Sequence, residues 1–338
     1  MRLLAKQAYF QQLIKLLTKL RPGQRAILAV MVIDARFDLV NDLLDAVADA
    51  SKRGAEITLQ YDHHSYMHGM VLALGHGFGA RKYDLRNRRL LKRIKELEAA
   101  GVRLVLTNPP KTFLSNRYGG RCHMKYAVFG EVCYLGGCNF DDPSFIDHML
   151  EIRSPKVAAA LTAITDKLRL NPVTGEAFAD QEVVLDDHMS LLIDAGRPNN
   201  SLIMDKALSL IANAKKRVAY AGQTFPSGSL ALSLDGALAR RVKVNLRITS
   251  WAHHSFPVNL QQLYTYVRYF GLLDGARYKW QKRHQPYLHD KILVADERFI
   301  IGSHNFSVTG VKYGTAEIAL QGDQADVARQ LYTFTTED

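Results

Sequence analysis

Leu288-His289-Asp290-Lys291-Ile292-Leu293-Val294-Ala295-Asp296, followed by Gly302-Ser303-His304-Asn305, has a second copy in Cys122-His123-Met124-Lys125-Tyr126-Ala127-Val128-Phe129-Gly130, followed by Gly136-Gly137-Cys138-Asn139. In both copies Lys stands at +2 from His, Gly at +13, Asn at +16 and Glu (Glu151 and Glu317) at +28. Side chains alternate faces along a strand, so His and Lys two positions apart point the same way. The runs Tyr126-Ala127-Val128-Phe129 and Ile292-Leu293-Val294-Ala295 read as buried strands carrying that pair. A single His-x-Lys is most simply a strand histidine satisfied by its neighbours. A set repeated at common separations points to two copies of one half-site.

The repeat extends outward. Arg25–Ile33 reads as a buried strand, Asp38–Arg53 as a helix ending at Gly54, and Ala55–Tyr61 as a second strand leading into Asp62-His63-His64-Ser65. The second half repeats that order with Arg217–Gln223, Leu230–Arg241 and Val242–Thr249, then His253-His254-Ser255. Leu90–Ala100 with Val102–Thr107 correspond to Leu263–Asp274 with Ala276–Trp280. Strands alternating with helices predict an α/β protein of two pseudo-symmetric halves, each a mixed, mostly parallel sheet flanked by helices with right-handed crossovers. The turn-forming stretch Asn171-Pro172-Val173-Thr174-Gly175-Glu176 places the boundary near residue 175, giving halves 1–175 and 176–338 with the site between them.

The two motifs resemble the phospholipase D superfamily signature, HxKxxxxD followed by GSxN and a downstream Glu, and the resemblance covers both halves. The second copy is complete, with Asp296 at the signature aspartate. The first has Gly130 there and Gly137 in place of Ser. Asn139-Phe140-Asp141-Asp142-Pro143-Ser144-Phe145 is similar to the N-x-D-x-R-S-F/L segment of cardiolipin synthases, with Pro143 at the arginine. What the resemblance implies is attack on phosphorus by His123 and general acid/base work by His289. The residues alone do not order the two.

The residue types suit that chemistry. Lys125, Lys291, Asn139 and Asn305 can donate hydrogen bonds to the non-bridging oxygens of a phosphodiester, whose charge must be held through the transition state. An imidazole serves as nucleophile or proton carrier near neutrality. Glu151 and Glu317, each an acid within an apolar strand, are expected to accept a hydrogen bond from the remaining ring nitrogens, and Ser303 to offer a further phosphate contact. His63, His64, His253 and His254 follow equivalent strands and are expected to line the crevice at the strand ends, as substrate contacts. Asp62, His63, His64, His68 and His76 match no metal-ligand spacing, so no metal or cofactor is expected.

A net charge of +11 implies an anionic partner, either a phospholipid surface or nucleic acid, and a hydrophobic content of 47% excludes disorder. Arg81-Lys82, Arg86–Arg89 and Lys279–Arg283 add cations to that argument, and no groove-reading motif accompanies them. Three cysteines, Cys122, Cys133 and Cys138, argue against a disulfide framework and for a reducing, cytoplasmic setting. Met1–Leu20 is interrupted by Lys6, Lys15 and Lys19 and reads as a basic amphipathic helix rather than a signal peptide. Its apolar stripe fits either an adjacent sheet or the inner face of an anionic membrane.

The expectation is therefore a metal-independent, cardiolipin synthase-like phosphatidyltransferase or phospholipase D, acting through a covalent phosphohistidine on anionic phospholipid at a membrane surface, with no obligatory protein partner. A nuclease working through the same half-sites is the alternative. A non-catalytic scaffold is disfavoured because both His-Lys-Asn-Glu sets survive.

Overall fold

The computed structural model describes residues 1–67, 78–109, 120–249, 256–282 and 284–337. In the first half, strands β1 (Arg2–Ala5), β2 (Arg25–Val30), β3 (Glu56–Asp62), β4 (Arg103–Thr107), β6 (Tyr126–Phe129), β7 (Val132–Gly136) and β8 (His148–Arg153) form one sheet in the order β1-β8-β7-β6-β2-β3-β4. Helices α1 (Lys6–Lys19), α2 (Asp38–Lys52), the short α3 (His64–Met67), α4 (Phe78–Ala99) and α5 (Pro155–Leu170) accompany it. The second sheet runs β13-β12-β11-β14-β15-β16-β10-β9. Its strands are β9 (Gln181–Asp186), β10 (Met189–Asp194), β11 (Arg217–Gly222), β12 (Lys243–Ile248), β13 (Arg277–Trp280), β14 (Ile292–Ala295), β15 (Arg298–Gly302) and β16 (Thr315–Gly322). Its helices are α6 (Leu202–Asn213), α7 (Gly228–Ala239), α8 (Phe256–Tyr269), α9 (Val308–Tyr313) and α10 (Ala325–Thr336).

Both sheets are mixed, and local connectivity decides the pairing. Strands joined through a crossover helix, β2-β3-β4 and β11-β12-β13, pair in parallel. The motif hairpins β6–β7 and β14–β15 are joined by tight turns and can pair only antiparallel, as do the strands beyond them. Along the main path of each sheet parallel pairing is thus confined to the crossover strands.

Alternation along these strands sorts apolar side chains into three cores. One lies between the sheets, where Met124, Tyr126 and Leu150 meet Ile292, Ile301 and Ile318, with α5 and α10 contributing Leu161 and Leu331. The outer face of the first sheet packs on α1, α2 and α4, and that of the second on α6 and α7. Tyr9, Phe10, Leu13 and Leu17 of α1 are fully buried in the first of these outer cores. Of the two readings of the N-terminus, packing on the adjacent sheet holds and the membrane one does not: the apolar stripe is covered by its own sheet. No helix among the described residues is long and apolar enough to cross a membrane.

Candidate functional site

The halves are joined at two places by the same device. Strand β5 (Arg121–Cys122) pairs in parallel with the start of β16, and His123 N–H then donates to Ala316 O at 2.8 Å. On the other side Ile146 and Leu288 form a parallel bridge, and His289 N–H donates to Ile146 O, also at 2.8 Å. In each case the residue after the accepting carbonyl is an acid from the opposite half. His123 Nδ1 lies 2.9 Å from Glu317 Oε2, and His289 Nδ1 lies 2.5 Å from Asp147 Oδ2. Both rings and both acids are buried. An ionised carboxylate there requires the proton on Nδ1, which leaves Nε2 with its lone pair; neither Nε2 has a hydrogen-bond partner among the described residues.

His123 and Lys125, like His289 and Lys291, lie just ahead of β6 and β14 and outside the strands themselves, so the sequence expectation of a strand carrying the pair is corrected to the segment that enters it. Lys125 Nζ donates to the carbonyl of His123 at 2.6 Å, and Lys291 Nζ makes the matching bond to the carbonyl of His289. Lys291 Nζ also stands 3.1 Å from His289 Nδ1. Burial, followed by the charges of Lys125 and Lys291, holds His123 well below the usual imidazole value; burial and Lys291 do the same to His289. Burial pushes Glu317 and Asp147 upward, and the buried ammoniums, Lys125 for Glu317 and Lys291, Lys6 and Lys125 for Asp147, together with the Ser303 hydroxyl on Glu317, pull them back toward the ionised form that keeps the proton on each Nδ1. Asn305 Oδ1 is buried without a partner among the described residues, and Asn139 Oδ1 accepts from Val32 N–H at 3.3 Å. Neutral rings beside buried ammoniums and carboxamides form a cradle suited to an anion.

Several sequence expectations land elsewhere. Glu151 does not reach a histidine: it accepts from Tyr134 Oη and Arg2 Nη2 at 2.8 and 2.7 Å, on the register that β8 shares with β7 and β1. Asp147, which the offset comparison missed, occupies its expected role. Eight residues separate Asn139 from Asp147 and twelve separate Asn305 from Glu317. The first half is therefore four residues shorter here, so the Glu at +28 lies four residues farther along β8. The signal that could have found Asp147 is Gly137. A Cβ at Gly137 would lie 2.0 Å from Asp147 Oδ1, so the missing serine side chain is the space that the acid fills.

Ser303, the residue matching Gly137, does not present its hydroxyl as a free phosphate donor. Its Oγ donates to Glu317 Oε2 at 2.5 Å and accepts from Ile318 N–H at 3.0 Å, so it steadies the acid instead. Asp296 sits in the β14–β15 turn at φ 54° and accepts from the N–H groups of Lys215, Lys216 and Arg217. Gly130 takes the matching turn at φ 60°, so the first copy's departure from the signature affects a turn and not the cradle. His63 packs on the Tyr66 ring with Nδ1 unpartnered among the described residues, and His64 opens α3 with its N–H on Asp62. His253, His254, His68 and His76 lie outside the described residues. Among those described, no cluster of three or more His, Cys, Asp or Glu side chains could hold a metal ion.

Two further buried contacts frame the cradle. Lys6, from the start of α1, is ion-paired with Asp141 and lies 5.0 Å from the centroid of the Phe145 ring, which tilts against His289. Burial works against its charge, and Asp141, Cys138 and Asp147 outweigh that effect. Asp290 ties the halves together by accepting from His148 N–H at 2.8 Å and pairing with His148 Nδ1 at 2.7 Å.

The family described as "Cardiolipin synthase, PLD-like domain" matches residues 18–169 and 207–335. The chain belongs to this phospholipase D-like family. Its fold is shared with phosphatidylserine synthase from Haemophilus influenzae, at a TM-score of 0.72 over 99% of this chain and 86% of that one with 11% identity. Polyphosphate kinase from Porphyromonas gingivalis superposes at 0.59 over 100% of this chain and 50% of that one, with 12% identity. No curated protein sequence matches the chain. For this phospholipase D-like protein the family match spans both halves and so takes in both half-sites.

Proposed function

We propose that this protein transfers or hydrolyses the phosphodiester of an anionic phospholipid through a covalent phosphohistidine. The observation that carries this reading is the crossed pairing of His123 with Glu317 and His289 with Asp147, which faces two tautomerically fixed imidazoles from opposite halves. In this scheme His289 takes up a proton from solvent at Nε2 as the phosphodiester binds, His123 Nε2 attacks phosphorus as the bond to the departing alcohol breaks, and His289 Nε2 gives that proton to the departing oxygen. His289 then takes a proton from the incoming alcohol or water, which displaces His123 and restores the enzyme. Lys125, Lys291, Asn139 and Asn305 hold the non-bridging oxygens, and loss of one such donor typically costs about 3–4 kcal/mol of barrier. Arrival of the phosphate among these lysines adds the negative charge that lets His289 carry its proton despite burial.

The phospholipid assignment is supported by the family match and the net positive charge. It also carries the expectation of a peripheral protein at the inner face of a membrane. The test is incubation of the purified protein, with EDTA present, with labelled phosphatidylglycerol and with labelled single-stranded and duplex DNA. Release of headgroup or appearance of a new phosphatidyl ester supports the reading. Turnover of DNA with none of lipid would replace it by a nuclease. A phosphorylated protein that is lost in His123→Ala and accumulates in His289→Ala identifies the nucleophile.

A further inference from the structure

Helix α8 packs through Tyr266 and Tyr269 on the outer core of the second sheet, yet carries a second apolar stripe on its solvent side. Along it Leu260, Leu263, Tyr264 and Val267 are 51%, 43%, 63% and 72% exposed, and Phe270 just beyond is 40% exposed, while the polar Gln262 and Thr265 are 6% and 9% exposed. The separations of these apolar residues place them on one helical face. Surface apolar residues scattered singly need no explanation, whereas a continuous stripe directed at water does. The packed side is held by Tyr266 against Phe225 and Trp280, and by Gln262 Oε1, which accepts from Phe225 N–H at 2.9 Å.

We propose that this face of α8 is where the protein docks on an anionic lipid membrane. Charge selects that occupant over a second copy of the chain. From Phe256 to Lys282 the only acid is Asp274, against Arg268, Arg277, Lys279 and Lys282. An isologous dimer through this face would set Arg268 of one copy against a helix that carries no acid in the other, whereas anionic headgroups neutralise it. Arg268 is exposed and donates to Tyr264 Oη at 2.9 Å, so a phenol and a guanidinium stand together at the level where a bilayer changes from apolar to polar.

The helix is also connected to the site. The loop after β11 that anchors Gln262 through Phe225 also carries Gln223, which accepts from Tyr287 Oη at 3.4 Å, and the Tyr287 ring lies 6.0 Å from that of His289. The packed side of α8 is therefore linked through a single loop to the half-site of His289. This proposal rests on the phospholipid reading given above and identifies the surface that would deliver the substrate.

The test is flotation of the full chain with phosphatidylglycerol/phosphatidylcholine vesicles and with phosphatidylcholine vesicles alone, which reads binding without turnover. The parent should float with the anionic vesicles, and Val267→Glu and Leu263→Gln should lower that partition by roughly ten-fold or more, while Leu16→Gln on the covered α1 side does not reproduce the loss through the surface. Because Val267 and Leu263 are exposed, folding is checked by an unchanged circular dichroism melt. Release of headgroup from short-chain monomeric phosphatidylglycerol separates the two readings: its persistence in a protein that does not float overturns docking alone. Equal flotation of parent and Val267→Glu also overturns it, as does a parent dimer in sedimentation that Val267→Glu dissolves.

Discussion

Asp147 Oδ2 lies 2.5 Å from His289 Nδ1, and the two residues belong to opposite halves. Glu317 does the same for His123, so each half supplies the acid that orients the other's imidazole. A buried carboxylate that fixes the tautomer of a working histidine is worth about four orders of magnitude in turnover in the Ser-His-Asp arrangement. Asp147→Asn is therefore expected to lower kcat by about 10⁴-fold with the fold intact, whereas Glu151→Gln leaves kcat near that of the parent. A large loss in Glu151→Gln would contradict the crossed pairing.

Gly137 makes room for that acid. Gly137→Ala places a methyl group where Asp147 Oδ1 stands, so the carboxylate must leave His289. The substitution should reproduce most of the Asp147→Asn defect. Because both changes act through one contact, the double variant Gly137→Ala/Asp147→Ala should be scarcely worse than Asp147→Ala alone. Additive losses in kcat would show that Gly137 acts by another route.

The pH profile should be set by a lysine on its alkaline side. Burial brings Lys125 down to about 7, with Glu317 opposing and Lys291 adding to the fall. His123 is depressed well below the usual imidazole value by burial and by Lys125, so it stays neutral through the acid side. The ammonium is present below its pKa and lost above it, so kcat on a soluble phosphodiester, read at saturation where the bound phosphate keeps His289 protonated, should fall about ten-fold per pH unit once Lys125 loses its proton. Lys125→Arg, which keeps its charge, should carry the limb upward whatever its effect on the maximum. A limb that does not move belongs to another group.

Asp296 should matter to stability and not to chemistry. Burial alone would raise its pKa, but the N–H groups of Lys215, Arg217 and Lys216 and the charge of Lys216 hold it below the usual aspartate value. A carboxylate with a depressed folded pKa stabilises the protein above its unfolded pKa, and that contribution disappears as the pH falls through the folded value. Asp296→Ala should cost about 1–2 kcal/mol in urea unfolding at pH 7. The difference from the parent should shrink in acid, and kcat should be unchanged. A persistent difference at low pH would assign the cost to the turn backbone instead.

The sequence by itself determined the duplication, the order of strands and helices in each half, and the two His-Lys-Asn sets. These are local properties: apolar runs of strand length bury the hairpins that each His-Lys segment enters. It could not determine which acid meets which histidine. That choice depends on where a strand from one half enters the other, and a four-residue difference between the halves moves Asp147 into the place that the matched separation assigned to Glu151. Nor could it determine which amphipathic face is covered. Periodicity in α1 and α8 says only that one side is apolar. The first sheet covers that side of α1 at Phe10 and Leu13, while α8 packs through Tyr266, Tyr269 and Gln262 and leaves Val267 to the solvent.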